Sequence, residues 1–339
     1  MKRAGNLIEG ICDYDNMRLA FYKACRGRRA KPEVIRFHEN LDDELWRLGQ
    51  ELRAGKVDWG EYFVFQVQDP KPRAIYAAPF RSHVGHHALL NICGPIFEKY
   101  QIDESCACRV GRGLDGAMRL AKKYAKKSKW YLQMDIRKYF NNIDHAVLNR
   151  SFAHRFKDPV VLQLLTSVLA TYQTAAGKGV PIGNLTSQYF ANHYLARCDR
   201  FIKERLRKKR YVRYMDDFVV WGDSKDELLE VRDAVQIFLK KELHLDLKYA
   251  RLNRMQRGLT FLGYRIFPNR VGLSRRSRDR FRRKTKKLFE RFYAGDCSEE
   301  ELATRLEPMI DFVKRAGSFR FREKCLLESE WARPKARTV

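Results

Sequence analysis

Two adjacent carboxylates at a tight turn are the residues of this chain best suited to do chemistry. Asp216 and Asp217 end the run Tyr-Met-Asp-Asp over 214–217, and apolar, β-prone residues flank it at 212 and 218–221. This pattern predicts a β-hairpin. Neighbouring carboxylates repel each other unless a cation neutralises them, and Mg²⁺ prefers one or two carboxylates plus substrate phosphates. The pattern therefore indicates phosphoryl transfer, while a solvated turn is the alternative, since aspartate is a common turn residue.

A second predicted strand supplies another carboxylate. Residues 131–136 read Tyr-Leu-Gln-Met-Asp-Ile, so an apolar run leads to Asp135, and aromatic residues and a helix follow. A two-metal polymerase needs carboxylates from at least two strands at one point, where the cations activate a primer hydroxyl and stabilise the leaving pyrophosphate. Asp135 alone is a weak signal. Combined with the turn at 214–217, it predicts a nucleotidyl-transfer site.

The charge of the chain indicates a polyanionic partner. The 339 residues include 68 Lys and Arg against 41 Asp and Glu, a formal net charge of +27. Nucleic acid or an anionic membrane surface would fit this excess. No stretch approaches the roughly 18 consecutive apolar residues of a membrane span, and no long apolar segment follows the first residues. We therefore expect a cytoplasmic protein that binds nucleic acid, with no membrane association.

The eight cysteines are expected to be reduced thiols, since no export signal is seen. Cys106 and Cys108 follow three histidines at 83, 86 and 87, so a zinc site is conceivable. No second paired cluster at zinc-ligand spacing accompanies them, which favours structural thiols and ordinary histidines.

A strongly basic helix is predicted near the end of the chain. Nine of the thirteen positions over 275–287 are basic, and Asp279 is the only acid among them. Phe281 and Leu288 fall among or just beyond these charges, so one helix could dock on both protein and phosphates. A charge run is usually a solvated face, but opposite charges normally accompany it. The segment therefore indicates contact with nucleic acid.

Periodicity and turn residues predict the elements that must position these groups. Residues 1–60 are mainly helical. The predicted strands cover 61–68, 73–77, 130–136, 245–249 and 259–267, in addition to the hairpin around 214–217. The predicted helices cover 82–101, 114–129, 144–173, 184–209 and 225–242, with a loop at 177–183.

Taken together, the ordered motifs resemble those of reverse transcriptases across most of the chain. Asp135 to Phe140 resembles their first catalytic motif, Val180 to Gln188 the second, and 214–217 the third. Leu245 to Lys248 resembles the motif that follows, and 261–264 (Phe-Leu-Gly-Tyr) the primer grip. Upstream, 69–75 and 109–113 resemble the finger motifs.

The resemblance implies a role for each matching residue. Asp135 and Asp216 would ligate both of two Mg²⁺ ions, for which Mn²⁺ is able to substitute; Asp217 would assist, and the Ile136 carbonyl would complete one site. The dNTP-binding residues would be Lys71, Arg73, Ile136, Phe140, Ile182, Gly183, Gln188 and Lys248. The nucleic-acid contacts would be Arg109, Arg112, Tyr214, Met215, Leu262, Gly263, Arg275, Arg276, Arg282 and Arg283.

For three of these implied roles, the resemblance indicates a specific chemical function, and an ordinary structural or surface role is the alternative. Phe140 stands where the family places its steric gate against a ribose 2′-hydroxyl, unless it is a core aromatic residue. Lys248 could protonate the pyrophosphate, unless it is a surface lysine. Lys71 and Arg73 would hold the triphosphate, or they make generic phosphate contacts.

The second motif departs from the common family pattern. Many reverse transcriptases have Gln-Gly at its start and Ser-Pro at its end, whereas this chain has Ile182-Gly183 and Ser187-Gln188. This form resembles the reverse transcriptases of diversity-generating retroelements, within the superfamily of group II intron and retron enzymes. Gln can hydrogen-bond near the incoming nucleotide, whereas Ile offers only shape, so weaker discrimination is expected. Alternatively, Ile182 packs in an ordinary polymerase.

The same resemblance implies the fold and the partners. The expected class is α+β, a right-hand polymerase with fingers at 1–130, a palm with an antiparallel sheet at 131–272, connecting helices at about 146–180, and a short basic helical thumb at 273–339. The implied partners are dNTPs, a template RNA, the cDNA/RNA duplex and a small basic accessory variability protein, commonly a pentamer. The product would be cDNA mutated opposite adenines, in a prokaryotic or phage-encoded system. A retron-like or phage-defence enzyme of ordinary fidelity and a catalytically inactive RNA-binding protein remain alternatives.

Overall fold

The computed structural model of the protein describes residues 3–68 and 72–330. The first part is helical and ends in a hairpin. Its elements are α1 (Ile8–Cys12), α2 (Tyr14–Ala24), α3 (Pro32–Glu39), α4 (Leu41–Ala54), β1 (Phe63–Gln68) and β2 (Pro72–Ala77). On α4 the buried residues Leu45, Leu48 and Leu52 recur at helical spacing, and Gly55 ends the helix with a φ of 68°. The antiparallel pair β1–β2 is a sheet of its own, and β1 is exposed along its length.

The middle of the chain carries the four-stranded sheet with its helices. Its elements are α5 (Phe80–Tyr100), α6 (Gly113–Ala125), β3 (Trp130–Ile136), α7 (His145–Ala153), α8 (Pro159–Ala170), α9 (Leu185–Arg200), β4 (Tyr211–Tyr214), β5 (Asp217–Gly222), α10 (Lys225–Leu243) and β6 (Leu247–Arg254). The strand order is β4-β5-β3-β6, and β4 and β5 form an antiparallel hairpin. The strand that carries Asp135 is therefore a direct neighbour of the strand that begins with Asp217.

The segment predicted as helical over 144–173 is not one continuous helix, because two helices, α7 and α8, occupy it. Asp158 accepts a hydrogen bond from the Val161 N–H as an N-cap, and Pro159 occupies the first helical position. Proline disfavours helical backbone in the residue before it but suits the first position of a new helix. The break was therefore encoded in the Asp-Pro pair. The predicted helix over 184–209 also ends early, at Arg200, and a π-helical turn follows over Phe201–Arg205.

The last part of the chain has a small sheet and three helices. Its elements are β7 (Leu259–Phe261), β8 (Tyr264–Ile266), β9 (Val271–Leu273), α11 (Arg275–Tyr293), α12 (Glu299–Lys314) and α13 (Phe319–Glu330). The strands form an antiparallel sheet in the order β7-β8-β9. Phe281, Val313 and Cys325 are the centre of a buried apolar cluster contributed by the three helices. The basic helix predicted at 275–287 is the first part of α11.

The chain divides into two compact units. Unit 1 comprises the described residues up to Ala117 and the segments Leu132–Val220 and Asp226–Arg251; unit 2 comprises Met118–Tyr131, Trp221–Lys225 and the described residues from Leu252 onward. These boundaries differ from the predicted fingers, palm and thumb, whose division stays a prediction. The predicted α+β class, with antiparallel sheets, is confirmed. No helix in the described part of the chain is long and apolar enough to cross a membrane.

Candidate active site

The Tyr-Met-Asp-Asp run forms the hairpin turn that its flanking residues predicted. Tyr214 pairs with Asp217 across the hairpin, so Met215 and Asp216 are a two-residue loop. Met215 has a φ of 54°, a value that residues other than glycine rarely adopt. The φ of Asp216 is not positive. A positive φ at the first loop residue alone is the pattern of a type II′ turn, which normally has glycine there. Such a residue costs on the order of 1–3 kcal/mol, so surrounding contacts must hold it.

The structure brings the three predicted catalytic aspartates together at one edge of the sheet. The Ile136 N–H, directly after Asp135, donates to the Asp216 carbonyl at 3.3 Å. From the same strand, the Gln133 amide donates to both carboxylate oxygens of Asp217, at 3.0 and 3.3 Å. Gln133 and Asp135 are two residues apart and so lie on one face of the strand. Backbone pairing and a buried side chain together set the positions of the carboxylates.

Burial raises the pKa of the two turn carboxyl groups. The pKa of Asp217 is raised from 3.8 to about 7, first by burial and then by the charges of Asp135 and Asp216, against the hydrogen bond from Gln133. Burial also raises the pKa of Asp216, and Asp135 adds to this, while Lys248 and Arg73 act in the opposite direction. The Lys248 ammonium forms an ion pair with Asp135 at 3.1 Å. The site is thus an anionic cluster that a bound cation would stabilise.

The chemistry of these donors fits magnesium. Among the residues that the structure describes, no three His, Cys, Asp or Glu side chains form a preformed metal-ligand cluster. Magnesium does not require one, because it binds through one or two carboxylates together with water and substrate phosphates. Asp135, Asp216, Asp217 and the Ile136 carbonyl are all oxygen donors, which hard cations such as Mg²⁺ and Mn²⁺ prefer.

A cavity of about 570 Å³ lies beside the carboxylates within unit 1. Five of the predicted dNTP-binding residues line it together with Asp216: Arg73, Phe140, Ile182, Gly183 and Gln188. The Ile182 carbonyl accepts from the Tyr76 N–H at 2.8 Å, which joins the second motif to strand β2. Gly183 has a φ of 122°, and a Cβ there would lie 2.7 Å from the Ile75 side chain, so the strand approaches too closely for any larger residue. Residues far apart in sequence therefore form one pocket wall.

The other predicted nucleotide-binding residues are placed differently. Lys71 lies outside the described residues. Ile136 is buried next to Asp135, and Lys248 contacts that aspartate rather than lining the cavity. Sequence reasoning missed the cavity residues Tyr76, Tyr172, Lys138 and Asn141, for which no motif gave a signal. It also missed Gln133, although its two-residue spacing from Asp135 on a strand could have indicated it.

The predicted nucleic-acid contacts in unit 1 fall into two groups. Tyr214 and Met215 are at the carboxylate turn. The Arg109 side chain is 7% exposed, pairs with Glu98 at 2.7 Å and donates to the carbonyls of residues 102 and 105. Arg112 pairs with Asp103. Because these contacts engage both arginines within the protein, their placement does not favour the predicted contacts with nucleic acid.

Within unit 2, the predicted contacts lie on a turn and on an exposed helix face. Leu262 and Gly263 form the loop between β7 and β8, with φ values of 50° and 87°. Four predicted contacts are exposed on α11, namely Arg275, Arg276, Arg282 and Arg283. Arg275 is 4.0 Å from Asp279. These arginines are exposed to solvent, and their contact with nucleic acid stays a prediction.

Comparisons with known proteins identify the family. The chain is 23% identical over 245 residues to Protein YkfC of Escherichia coli (strain K12), covering 59% of this chain and 64% of that protein. It is 22% identical over 287 residues to Group II intron-encoded protein LtrA of Lactococcus lactis subsp. cremoris, covering 63% of this chain and 48% of that protein. The chain thus spans less than two thirds of the length of each relative.

A family match covers the middle of the chain, and a solved structure resembles part of it. A structure of apo telomerase from Candida tropicalis, truncated from its C-terminal domain, aligns with a TM-score of 0.46 and 13% identity, over 64% of this chain and 55% of that one. The family described as reverse transcriptase (RNA-dependent DNA polymerase) matches residues 89–266, more than half of the chain and the stretch that holds all three aspartates. Because this match covers more than half of the chain, the protein belongs to the reverse transcriptase family, whose members have the right-hand polymerase fold.

Proposed function

We propose that the protein is an RNA-directed DNA polymerase that transfers nucleotides from dNTPs to a primer 3′-hydroxyl. The observation that carries this proposal is the position of Asp135, Asp216 and Asp217 at one sheet edge, next to a cavity of about 570 Å³. The cavity is large enough for a nucleotide, and pockets of this size commonly hold small ligands. Family membership supports the same activity.

Each group of residues around the cavity has a different proposed role in the reaction. Asp135, Asp216 and Asp217 would hold two Mg²⁺ ions, which when bound lower the pKa of the primer hydroxyl and neutralise charge on the phosphates. The Arg73 guanidinium would donate to the triphosphate oxygens. The Phe140 ring, half-buried at the cavity wall, would exclude a ribose 2′-hydroxyl. Lys248 would protonate the departing pyrophosphate, after exchanging its contact with Asp135.

The setting that we propose is error-prone copying of a retroelement template RNA, with mutations opposite adenines. Ile182 supports this proposal because it is half-buried and presents an apolar side chain to the cavity. A residue that cannot hydrogen-bond discriminates between substrates by shape alone, which is a weak means of selection. The proposed partners are the template RNA, the cDNA/RNA duplex and a small basic accessory protein. In diversity-generating retroelements this accessory protein is commonly a pentamer.

Single-nucleotide primer extension tests this function. Purified protein with Mg²⁺ receives a primed RNA template whose next base is adenine, or one of the other three bases, and each dNTP separately. We expect extension on every template, with misincorporation concentrated opposite adenine. Ile182→Gln should improve discrimination there by about tenfold, whereas the matched Ile182→Leu control should not.

The possible failures of this experiment separate the alternatives. Faithful incorporation of thymidine opposite adenine would reject the mutagenic setting and leave a reverse transcriptase of ordinary fidelity. No extension with Mg²⁺, the protein's own RNA and the accessory protein would reject catalysis and favour an RNA-binding protein.

A further inference from the structure

Arg213 is a fully buried charge next to the catalytic turn. Its side chain is 1% exposed, and that of its partner Asp199 is 0% exposed. The guanidinium donates to both carboxylate oxygens of Asp199, each at 2.7 Å. Arg213 is the residue before Tyr214 on strand β4, whereas Asp199 belongs to helix α9. The pair therefore joins this helix to the strand that leads into the turn.

The remaining donors of Arg213 are matched as well. One terminal nitrogen donates to the Asn192 side chain at 3.0 Å and to the Met215 carbonyl at 3.1 Å. The other donates to the Ser105 hydroxyl at 2.8 Å, besides Asp199. A guanidinium has five N–H donors in a planar fork, and each of them has an acceptor here. The orientation of this side chain is thus determined from every side.

One of these acceptors belongs to the loop that carries the catalytic carboxylates. Met215 is the residue with the positive φ of 54°, and its carbonyl leads directly into Asp216. A strained residue keeps its conformation only where neighbouring groups determine it. The hydrogen bond from Arg213 is such a contact.

The same network reaches the nucleotide cavity. Gln188, Asn192 and Asp199 lie on α9 at spacings of four and seven residues, so they share one face of the helix. Gln188 lines the cavity, while Asn192 and Asp199 bind the guanidinium. The helix that forms a wall of the cavity is thereby linked to the turn through one side chain.

We propose that Arg213 is a positioning residue, which holds the strained Met215–Asp216 loop in register with helix α9 so that the carboxylates face the bound nucleotide. This inference rests on the proposed polymerase function. The energetics of buried charges support it: a buried ion pair is often no more stabilising than apolar residues of similar volume, so stability alone does not require this pair. A fixed geometry does require a planar group with several donors.

The test separates position from stability with a paired replacement. Arg213→Met leaves the buried Asp199 without a charged partner and with the Tyr211 hydroxyl as a donor, at 2.7 Å, and should destabilise the protein. Arg213→Met with Asp199→Leu should recover much of the stability. Neither variant can donate to the Met215 carbonyl. We therefore expect the double variant to remain slow, with kcat lowered about 10–100-fold and the KM for dNTP little changed. Its Mn²⁺ dissociation constant, measured by electron paramagnetic resonance without substrate, should rise about tenfold.

Two further variants keep the test decisive. Arg213→Lys retains the positive charge beside Asp199 but not the planar set of five N–H donors. It should therefore fold and show the same loss of kcat and of Mn²⁺ affinity. If the double variant is unstable, this variant separates positioning from stability. Arg81→Met is the control for loss of an ion pair outside the site, because the partly exposed Arg81 makes two hydrogen bonds to Glu51, at 2.9 and 2.8 Å. It should lose stability without losing Mn²⁺ affinity.

The proposal is overturned if kcat and Mn²⁺ affinity return to wild-type values whenever stability does, or if activity follows stability equally in the Arg81 and Arg213 variants. These outcomes are distinguishable from failure of the proposed function. If the wild type extends no primer, the polymerase proposal fails, whereas the Mn²⁺ measurement still reports whether Arg213 positions the carboxylates.

Discussion

Two hairpin loops of the same length show how differently a non-glycine residue with a positive φ can be held. Met215–Asp216 joins β4 to β5 in unit 1, and Leu262–Gly263 joins β7 to β8 in unit 2. Both loops contain a non-glycine residue with a positive φ, 54° at Met215 and 50° at Leu262. The second loop also has a glycine with a φ of 87°, so both of its residues fit a type I′ turn.

The two loops differ in what holds them. Gly263 supplies its own conformational freedom, and a Cβ there would meet Phe312 and Ser277 at 2.7 and 2.8 Å. The carboxylate loop has no glycine, and it is held by a hydrogen bond from the buried Arg213 instead. The first loop thus depends on Arg213, whose own partners Asp199 and Ser105 are distant in sequence, while the second loop contains its own glycine. Strain that is held from outside is typical of functional sites.

The largest expected difference between the loops is kinetic. Asp135→Asn, on strand β3 beside the first loop, removes a charge from the carboxylate cluster that this loop completes. It should lower kcat about 10²–10³-fold, the scale on which loss of one electrostatic stabiliser acts. Leu262→Ala in the other loop should leave kcat close to wild type and raise the KM for primer–template instead, because its predicted partner is nucleic acid. Steady-state primer extension measures both. A kcat defect for Leu262→Ala as large as that of Asp135→Asn would show that the loops are not functionally distinct.

A smaller difference is expected in stability. Gly263→Ala should destabilise the protein by about 1–3 kcal/mol, since alanine is strained at this φ and the site is crowded. Met215→Gly should change the free energy of unfolding by no more than about 1 kcal/mol, because relief of strain offsets the added flexibility of the unfolded chain. Urea unfolding gives both values. Gly272→Ala is the matched control, because nothing lies within 4 Å of a Cβ at that position.

A third difference between the loops is a pH dependence confined to the carboxylate loop. Burial and neighbouring charges raise the folded-state pKa of Asp217 from 3.8 to about 7, so the folded protein binds a proton that the unfolded chain releases. Without metal, this group's contribution to stability is therefore greatest below its unfolded pKa and is lost as the pH rises from about 4 to about 7.

Thermal unfolding in a chelator, from pH 4 to pH 8, measures this dependence. Asp217→Asn should be increasingly more stable than the wild type as the pH rises, and Mg²⁺ should reduce the difference. Parallel profiles for the two proteins would mean that Asp217 titrates normally.

The candidate catalytic carboxylates were predictable from the sequence because they follow local rules. Runs of apolar, β-prone residues predicted β3 and the hairpin, and adjacent charges indicated a cation site. The same kind of rule could have found the break before Pro159, which the predicted helix over 144–173 overlooked. These features need only a few neighbouring residues to be recognised.

The rest of the site depends on contacts that no local pattern records. Arg213 and Asp199 are fourteen residues apart, and Ser105 is 108 residues from Arg213. The cavity combines Tyr76 with Tyr172, whose rings are 4.6 Å apart. Arg109 follows the pattern of a nucleic-acid contact in sequence but is engaged with Glu98 in the structure. Pairings of this kind are set by tertiary packing, so the sequence pattern could not predict them.

The central claim is that the aspartates at this turn add deoxynucleotides to a primer on an RNA template. Extension by one nucleotide, compared between the wild type and Asp216→Asn with Mg²⁺ and a primed RNA template, tests it most directly. We predict template-dependent extension by the wild type, none in a chelator, and a rate at least about 100-fold lower for the variant. Equal extension by the two proteins would contradict the claim.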